Sequence, residues 1–181
     1  MNVANPANAL ALSTPPPASR RRLPSFRERP WAAAGAWGVL LLRAMMAVFF
    51  TSAARNKVTK EWMTTDVLQL NFLQRLEELD PLSIGARFIE NYGLPYYRVF
   101  AAMVTLGEVA IAIGLVFGFV TRGAAIGAML LMLSFTFGGY YDASLIFLTL
   151  MFLPIALTPN GHWFGVDGWL HQRYPHSILF K

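Results

Sequence analysis

The sequence predicts an all-α fold: an integral membrane four-helix bundle with a long amphipathic-helical loop between its first and second spans. Hydrophobic residues make up 55% of the 181 positions and charged residues only 14%, about half of the ~25% that is usual in soluble domains. Four apolar stretches, separated by one long loop and two short turns, are each long enough to form most or all of a membrane helix. Lipid is therefore expected to be the solvent for most of the chain.

Residues 1–30 are predicted to form a flexible, basic cytoplasmic tail. They are rich in Ala, Pro, Ser and Arg, a composition that buries too little apolar surface to fold alone. Arginines just before an apolar span are typical of a cytoplasmic anchor, so no nucleic-acid binding is predicted. Five arginines occupy the tail: Arg20, Arg21, Arg22, Arg27 and Arg29. The alternative is a twin-arginine export signal, which is disfavoured because Arg43 interrupts the apolar run and three more spans follow.

The transmembrane domain is predicted over residues 31–158. Its first span, residues 31–54, is apolar except for Arg43 and has two tryptophans near its start, as expected at a headgroup interface. The other spans are predicted over residues 99–120, 123–139 and 143–157. Residues 159–181 are expected to form a polar and aromatic C-terminal tail.

The loop over residues 55–98 is predicted to contain two interfacial helices. Apolar residues recur every three or four positions over residues 65–79, the spacing of an amphipathic helix. Asp80 and Pro81 then provide an N-cap and a first helical residue for a second, shorter helix. Both helices are expected to lie on the membrane surface. Their apolar positions are Leu68, Phe72, Leu76 and Leu79 in the first helix and Ile84, Phe88 and Tyr92 in the second.

The distribution of Lys and Arg predicts a multi-pass protein with both termini in the cytoplasm. The N-terminal tail is strongly basic, the turn after the second span contains Arg122, and the next turn contains Asp142 and no base. The long loop opposes this topology with six bases, which six acids balance.

Two ionisable residues, Arg43 and Glu108, lie deep in predicted spans. With the cytoplasmic boundary at Ala33 and Val120, Arg43 is roughly 15 Å deep and Glu108 roughly 18 Å deep. Since an unpaired charge at this depth is costly, the two side chains are predicted to pair near the midplane. Two interpretations remain open: a clamp that fixes helix register, or a polar site facing the carbonyl groups of a ligand.

The composition also limits the cofactors that the chain can bind. It contains no cysteine, which excludes disulfides and cysteine-ligated zinc or iron–sulfur clusters. No histidine lies in a predicted span, so a bis-histidine haem inside the bundle is not expected, and no metal site is predicted. The three histidines, expected to be solvated tail residues, are His162, His171 and His176. Any redox chemistry would need a bound organic molecule or the cofactor of a partner.

The order and spacing of several motifs resemble the DoxX family of small four-span membrane proteins. The resemblance covers roughly residues 40–170 and is carried by Arg43, by the segment "DPLSIGARFIENYGLPYYRVFAAMVTLGEVAIAIGLVFGFVTRGAA" and by the closing "NGHWFGVDGWL". Lys57 resembles a lysine that follows the first span in this family. His162 stands where an arginine is common.

The resemblance implies a four-helix bundle in the cytoplasmic membrane of a bacterium or archaeon. Some relatives resemble the membrane subunit of thiosulfate:quinone oxidoreductase, and others associate with oxidative-stress or sulfur-handling enzymes. It therefore implies quinone as a possible cofactor and other membrane-protein subunits as partners, besides the lipid bilayer.

The first functional hypothesis is a subunit of a quinone-linked oxidoreductase, with no redox cofactor of its own. Arg43 would hydrogen-bond a quinone oxygen and Glu108 would relay its proton. Further substrate- or quinone-binding candidates are Arg55 and Lys57, which would attract anions, and Tyr140, Tyr141 and Asp142, which would line an entrance. The alternative is a non-catalytic accessory subunit of a larger bioenergetic membrane complex. A proton-coupled transporter is less favoured, because the spans are few and short.

Overall fold

The computed structural model describes residues 22–177, which form eight α-helices, one π-helical turn and no strand. The all-α prediction is therefore confirmed over this part of the chain; the predicted tail falls mostly outside it. The helices are α1 (Pro30–Thr59), α2 (Val67–Glu78), α3 (Ile84–Phe88), α4 (Tyr97–Phe117), α5 (Thr121–Phe137), α6 (Ala143–Leu157), α7 (Asn160–Trp163) and α8 (Asp167–Arg173), and the π-helical turn Ile89–Gly93 extends α3.

Two helices, α1 and α4, are long and apolar enough to cross a membrane. At ~1.5 Å per residue, the 30 residues of α1 extend about 45 Å and the 21 residues of α4 about 31 Å. The other two predicted spans correspond to α5 and α6, which are apolar but shorter, with 17 and 15 residues. Helix α1 continues past the predicted end at residue 54, so Lys57 lies on the helix and not in the following loop.

The four longest helices pack around one hydrophobic core. Helix α1 packs against α4, α4 against α5, α5 against α6, and α6 returns to α1. Near the centre, the rings of Phe50 and Phe152 meet edge to face with centroids 5.5 Å apart. Outward-facing Val48, Leu130 and Phe147 are 67%, 62% and 66% exposed. A helix bundle with an exterior as apolar as this one is suited to contact with lipid.

Helices α2 and α3 form a layer against one end of the bundle. The predicted apolar face of α2 packs inward, because Leu68 and Phe72 join Ile89 and Ala101 in a second hydrophobic cluster. Protein therefore covers the predicted apolar face of α2. Arg75 donates to the carbonyl oxygen of Gly139, which ties the layer to the turn between α5 and α6.

Helices α7 and α8 dock against the opposite end of the bundle. The backbone N–H groups of Val166 and Asp167 donate to the carbonyl oxygens of Phe117 and Gly118, at 3.1 and 3.0 Å. Gly118 has a φ of +62°, and a Cβ there would lie 2.7 Å from Cα of Gly165, so both positions favour glycine. The part of the expected tail up to residue 173 is thus folded onto the bundle.

The histidines of this segment differ from the sequence prediction. His162 is only 3% exposed, and its ring centroid lies 4.9 Å from that of His171, which is half-buried. The expectation of solvated side chains is wrong for His162, because α7 is pressed against the end of the bundle.

Candidate functional site

Glu108 is buried in the bundle and forms an ion pair with Lys57. The Lys57 Nζ donates to Glu108 Oε1 at 2.7 Å, and the two side chains are 13% and 3% exposed. Lys57 lies in the last turn of α1 and Glu108 in the middle of α4. A lysine side chain on a helix points toward the helix N-terminus, which brings the Lys57 ammonium back toward the level of Glu108.

The predicted pairing of Arg43 with Glu108 is wrong. Arg43 is 8% exposed and binds the C-terminal segment instead. Its Nη1 donates to the Asn160 carbonyl at 3.0 Å and to the Asn160 side-chain oxygen at 3.4 Å, and its Nη2 donates to the carbonyl oxygen of Phe164.

The helix register explains why the two charges do not meet. The Arg43 guanidinium lies beside Gly118, the residue that ends α4. Glu108 is ten positions earlier on α4, about 15 Å away along the helix. The sequence prediction assumed that Ala33 and Val120 lie at the same depth in the membrane. In the structure, the first residues of α1 extend well past the end of α4.

Around Arg43, the C-terminal segment joins three helices. The Asp167 carboxylate accepts the backbone N–H of Val120 at 2.6 Å, and the backbone N–H and hydroxyl of Thr121 at 2.9 and 2.7 Å. Asp167 thus caps the N-terminus of α5 and also attracts Arg43 electrostatically. These contacts make Arg43 part of a structural clamp at this end of the bundle.

Glu108 has more hydrogen-bonding capacity than the described residues use. Its Oε2 atom and the hydroxyl of Thr105, one turn earlier on α4, are enclosed and have no partner within residues 22–177. Other threonines in these helices behave differently: Thr51 and Thr149 donate to the carbonyl oxygen four residues earlier. An unpartnered buried polar atom costs about 1–3 kcal/mol, so each one calls for an explanation such as a catalytic role or a bound water.

Lys57 connects this ion pair to a large cavity. The cavity has a volume of about 500 Å³ and lies between the α2–α3 layer and the nearby ends of α4, α5 and α6. The Lys57 ammonium is 4.8 Å from the centroid of the Trp62 ring, which also lines the cavity. Most of the wall is apolar, and its aromatic side chains are Trp62, Phe72, Phe88, Phe100, Phe135, Phe137 and Tyr140.

The residues predicted to bind substrate are only partly brought together. Lys57, Tyr140 and Asp142 line the cavity, whereas Tyr141 and Arg55 are exposed and lie outside its lining. The Asp142 carboxylate accepts the backbone N–H of Ser144 at 3.0 Å and its hydroxyl at 2.8 Å, so it caps α6. These bonds, from the backbone N–H first, lower the pKa of the Asp142 carboxyl below its ordinary value.

Metal ligands are not clustered in the described region. Within residues 22–177, no group of three or more His, Asp or Glu side chains is placed to hold a metal ion.

The sequence model of the DoxX family matches residues 38–140. The chain belongs to the DoxX family. The matched region of this DoxX protein extends from α1 through α5 and contains the Lys57–Glu108 pair, while α6 to α8 follow it. Comparisons with curated proteins and with solved structures found no match.

Several residues of the site were missed by sequence reasoning. The partners of Arg43, above all Asn160, come from a segment taken for a tail, although the closing "NGHWFGVDGWL" contained Asn160 and Asp167. The role of Lys57 as the partner of Glu108 was missed because α1 was ended at residue 54. The cavity-lining residues of α2, including Asn71, could not be identified from the sequence, because no local pattern distinguishes a cavity wall from the rest of a helix.

Proposed function

We propose that this DoxX protein spans the cytoplasmic membrane of a bacterium or archaeon four times, with both termini in the cytoplasm. Helices α1 and α4 are long enough to cross, and α5 and α6 complete the same core. The end that carries the start of α1, the α4–α5 turn and the C-terminal segment also carries the basic residues Arg27, Arg29, Arg122 and Arg173. The five arginines of residues 20–29, just before the first span, favour a cytoplasmic location for this end.

The function that we propose is that of a membrane subunit of, or a protein associated with, a quinone-linked oxidoreductase complex. The observation that carries this proposal is the Lys57–Glu108 ion pair at the edge of an aromatic, mostly apolar cavity of about 500 Å³. Ligand sites of this kind combine an apolar wall with a few polar groups that fix the orientation.

The residues of the cavity fit the head group of a quinone. Aromatic walls suit a planar ring. An ammonium group has three N–H donors, and Lys57 uses one of them on Glu108, so others can donate to a carbonyl oxygen. The charge of Lys57 is balanced by Glu108, and Asp142 adds a negative charge to the wall. This balance favours a neutral ligand over an anion such as thiosulfate.

The ion pair gives each residue a separate task. A quinone, when bound, supplies the capacity to accept two electrons and two protons. Lys57 would orient the ring by donating a hydrogen bond. Glu108 would hold a proton at Oε2, the carboxylate oxygen that lacks a partner within residues 22–177. Electrons would come from a partner subunit, because the chain has no cysteine to hold an iron–sulfur cluster. Arg43 lies at the opposite end of the bundle and takes no part in this site.

The test is to purify the protein in mild detergent, extract it with organic solvent and quantify quinone per chain. We expect a stoichiometric amount in the native protein and in Lys57→Arg, which keeps the donors and the charge. Lys57→Met should lose most of the quinone. The matched control is Lys60→Met, which changes an exposed lysine one turn later. The proposal is contradicted if the native protein contains no quinone although the membranes from which it was purified do.

The second candidate is a non-catalytic accessory subunit. It is favoured by a group of large exposed aromatic side chains near the C-terminal segment, which offers a docking surface. Its members Phe164, Trp169 and Tyr174 are 54%, 61% and 54% exposed. Stable co-purification with larger subunits, without quinone and with unchanged activity of the complex in Glu108→Gln, would support this alternative.

A further inference from the structure

Asn71 places an uncommitted amide group in the cavity wall. It lies on α2, is half-buried and lines the same cavity as Lys57. Its side-chain amide forms no hydrogen bond within residues 22–177, and neither of its polar atoms is among the enclosed ones. The amide at this wall therefore has two N–H donors and one carbonyl acceptor available.

Most other polar side chains of the wall already form at least one hydrogen bond, whereas the Tyr140 hydroxyl forms none within residues 22–177. Lys57 donates to Glu108, Ser134 donates to the carbonyl oxygen of Leu131, and Asp142 accepts from Ser144. The indole nitrogen of Trp62 is enclosed by protein and does not face the cavity.

The position of Asn71 is fixed by its neighbours. Leu68 and Phe72, on the same helix, are 8% and 7% exposed and anchor α2 in the second hydrophobic cluster. Asparagine has a lower helix propensity than the leucines that surround it in "VLQLNFLQRL". An amide without a hydrogen-bond partner on a helix that is anchored in this way points to a role in binding.

We propose that Asn71 is a second polar binding residue of this cavity and that it recognises both redox forms of the ligand. The inference rests on the proposed function and extends it. The amide can donate to a carbonyl oxygen of a quinone and accept from a hydroxyl of the corresponding quinol, whereas the Lys57 ammonium can only donate. Asn71 thus equips the cavity to retain a ring whose oxygens change from acceptors to donors.

The test measures binding of a short-chain ubiquinone and of its quinol to the purified, delipidated protein. Tryptophan fluorescence provides the signal, because Trp62 lines the cavity. Asn71→Leu should weaken the binding of both forms about tenfold, the value of one hydrogen bond. Asn71→Asp at pH 8 keeps an acceptor and removes the donors, so it should weaken quinone binding and shift the ratio of the two dissociation constants about tenfold toward the quinol.

Gln74→Glu is the control, since it makes the same change of amide to acid at an exposed position on α2. It should leave both dissociation constants within about twofold of the native values. If the native protein binds both forms and Asn71→Asp leaves their ratio unchanged, the inference about Asn71 fails and the proposed function stands. If the native protein binds neither form, both fail.

Discussion

Lys57 and Glu108 are joined by a 2.7 Å hydrogen bond between the last turn of α1 and the middle of α4. The acid that stands out in an apolar helix is thus neutralised by a lysine near the end of the preceding long helix. The two residues are 51 positions apart in the chain. The pair connects α1 to α4, and its lysine lines the cavity.

The contributions of Lys57 and Glu108 to the free energy of unfolding should be strongly coupled. Lys57→Met leaves the buried Glu108 carboxylate unpaired and should destabilise the protein by about 3 kcal/mol. The double variant Lys57→Met/Glu108→Gln should recover part of this loss, because no buried charge then remains. Unfolding of all variants in detergent measures the coupling, with Lys60→Met as the control. Additive effects of the two single changes would contradict the pairing.

Arg43 should control the attachment of the C-terminal segment. Arg43→Met removes its hydrogen bonds to Asn160 and Phe164, and bonds to a charged group contribute about 1.5–3 kcal/mol each. Amide hydrogen exchange over residues 160–173 should therefore accelerate about tenfold or more. Arg55→Met, at an exposed position on the same helix, should leave this exchange unchanged. Equal exchange in the two variants would show that Arg43 does not hold the segment.

Two glycine-to-alanine substitutions should have opposite effects on stability. A Cβ at Gly161 would lie 2.3 Å from both Oδ2 of Asp167 and Oγ1 of Thr121, so Gly161→Ala should destabilise by about 1–3 kcal/mol. A Cβ at Gly107 would meet no atom within 4 Å, and Gly107→Ala in the middle of α4 should stabilise by up to about 1 kcal/mol. Melting temperatures in the same detergent compare them, and a neutral Gly161→Ala would contradict the close packing.

The Asp142 cap should make stability depend on acid pH. The backbone N–H and hydroxyl of Ser144 lower the pKa of the Asp142 carboxyl, so the folded state binds the proton less readily than the unfolded state. The contribution of the cap is complete above the ordinary aspartate pKa of about 3.9 and is lost as pH falls through the lower pKa of the folded protein. Asp142→Asn should remove this part of the pH dependence.

The measurement for Asp142 is the melting temperature from pH 6 to pH 2.5. The difference between the native protein and Asp142→Asn should be largest at pH 6 and should shrink toward pH 2.5. Glu77→Gln, at an exposed carboxyl that forms no hydrogen bond within residues 22–177, serves as the comparison. A difference that stays constant over this range would mean that the charge of Asp142 does not stabilise the cap.

The helices were largely predictable, and their contacts were not. Apolar length predicts α1 and α4, and the periodic Leu68 and Phe72 predict α2, because these signals are local. The packing of this face of α2 against Ile89 and Ala101 was not predictable, since an apolar stripe does not specify what it packs against. Asn71 carried no signal at all: a polar residue in an amphipathic helix is ordinary until a cavity is known to lie beside it.

By itself, the sequence determined that the chain is all-helical, that most of it is apolar, and that Glu108 needs a partner of opposite charge. Only the tertiary structure decided that this partner is Lys57 and that Arg43 binds Asn160 instead. The physical reason is the register of antiparallel helices. It is set by packing between residues that are far apart in the chain, such as Phe50 of α1 and Ile111 of α4 in the same core cluster, and a shift of ten residues moves a charge by about 15 Å.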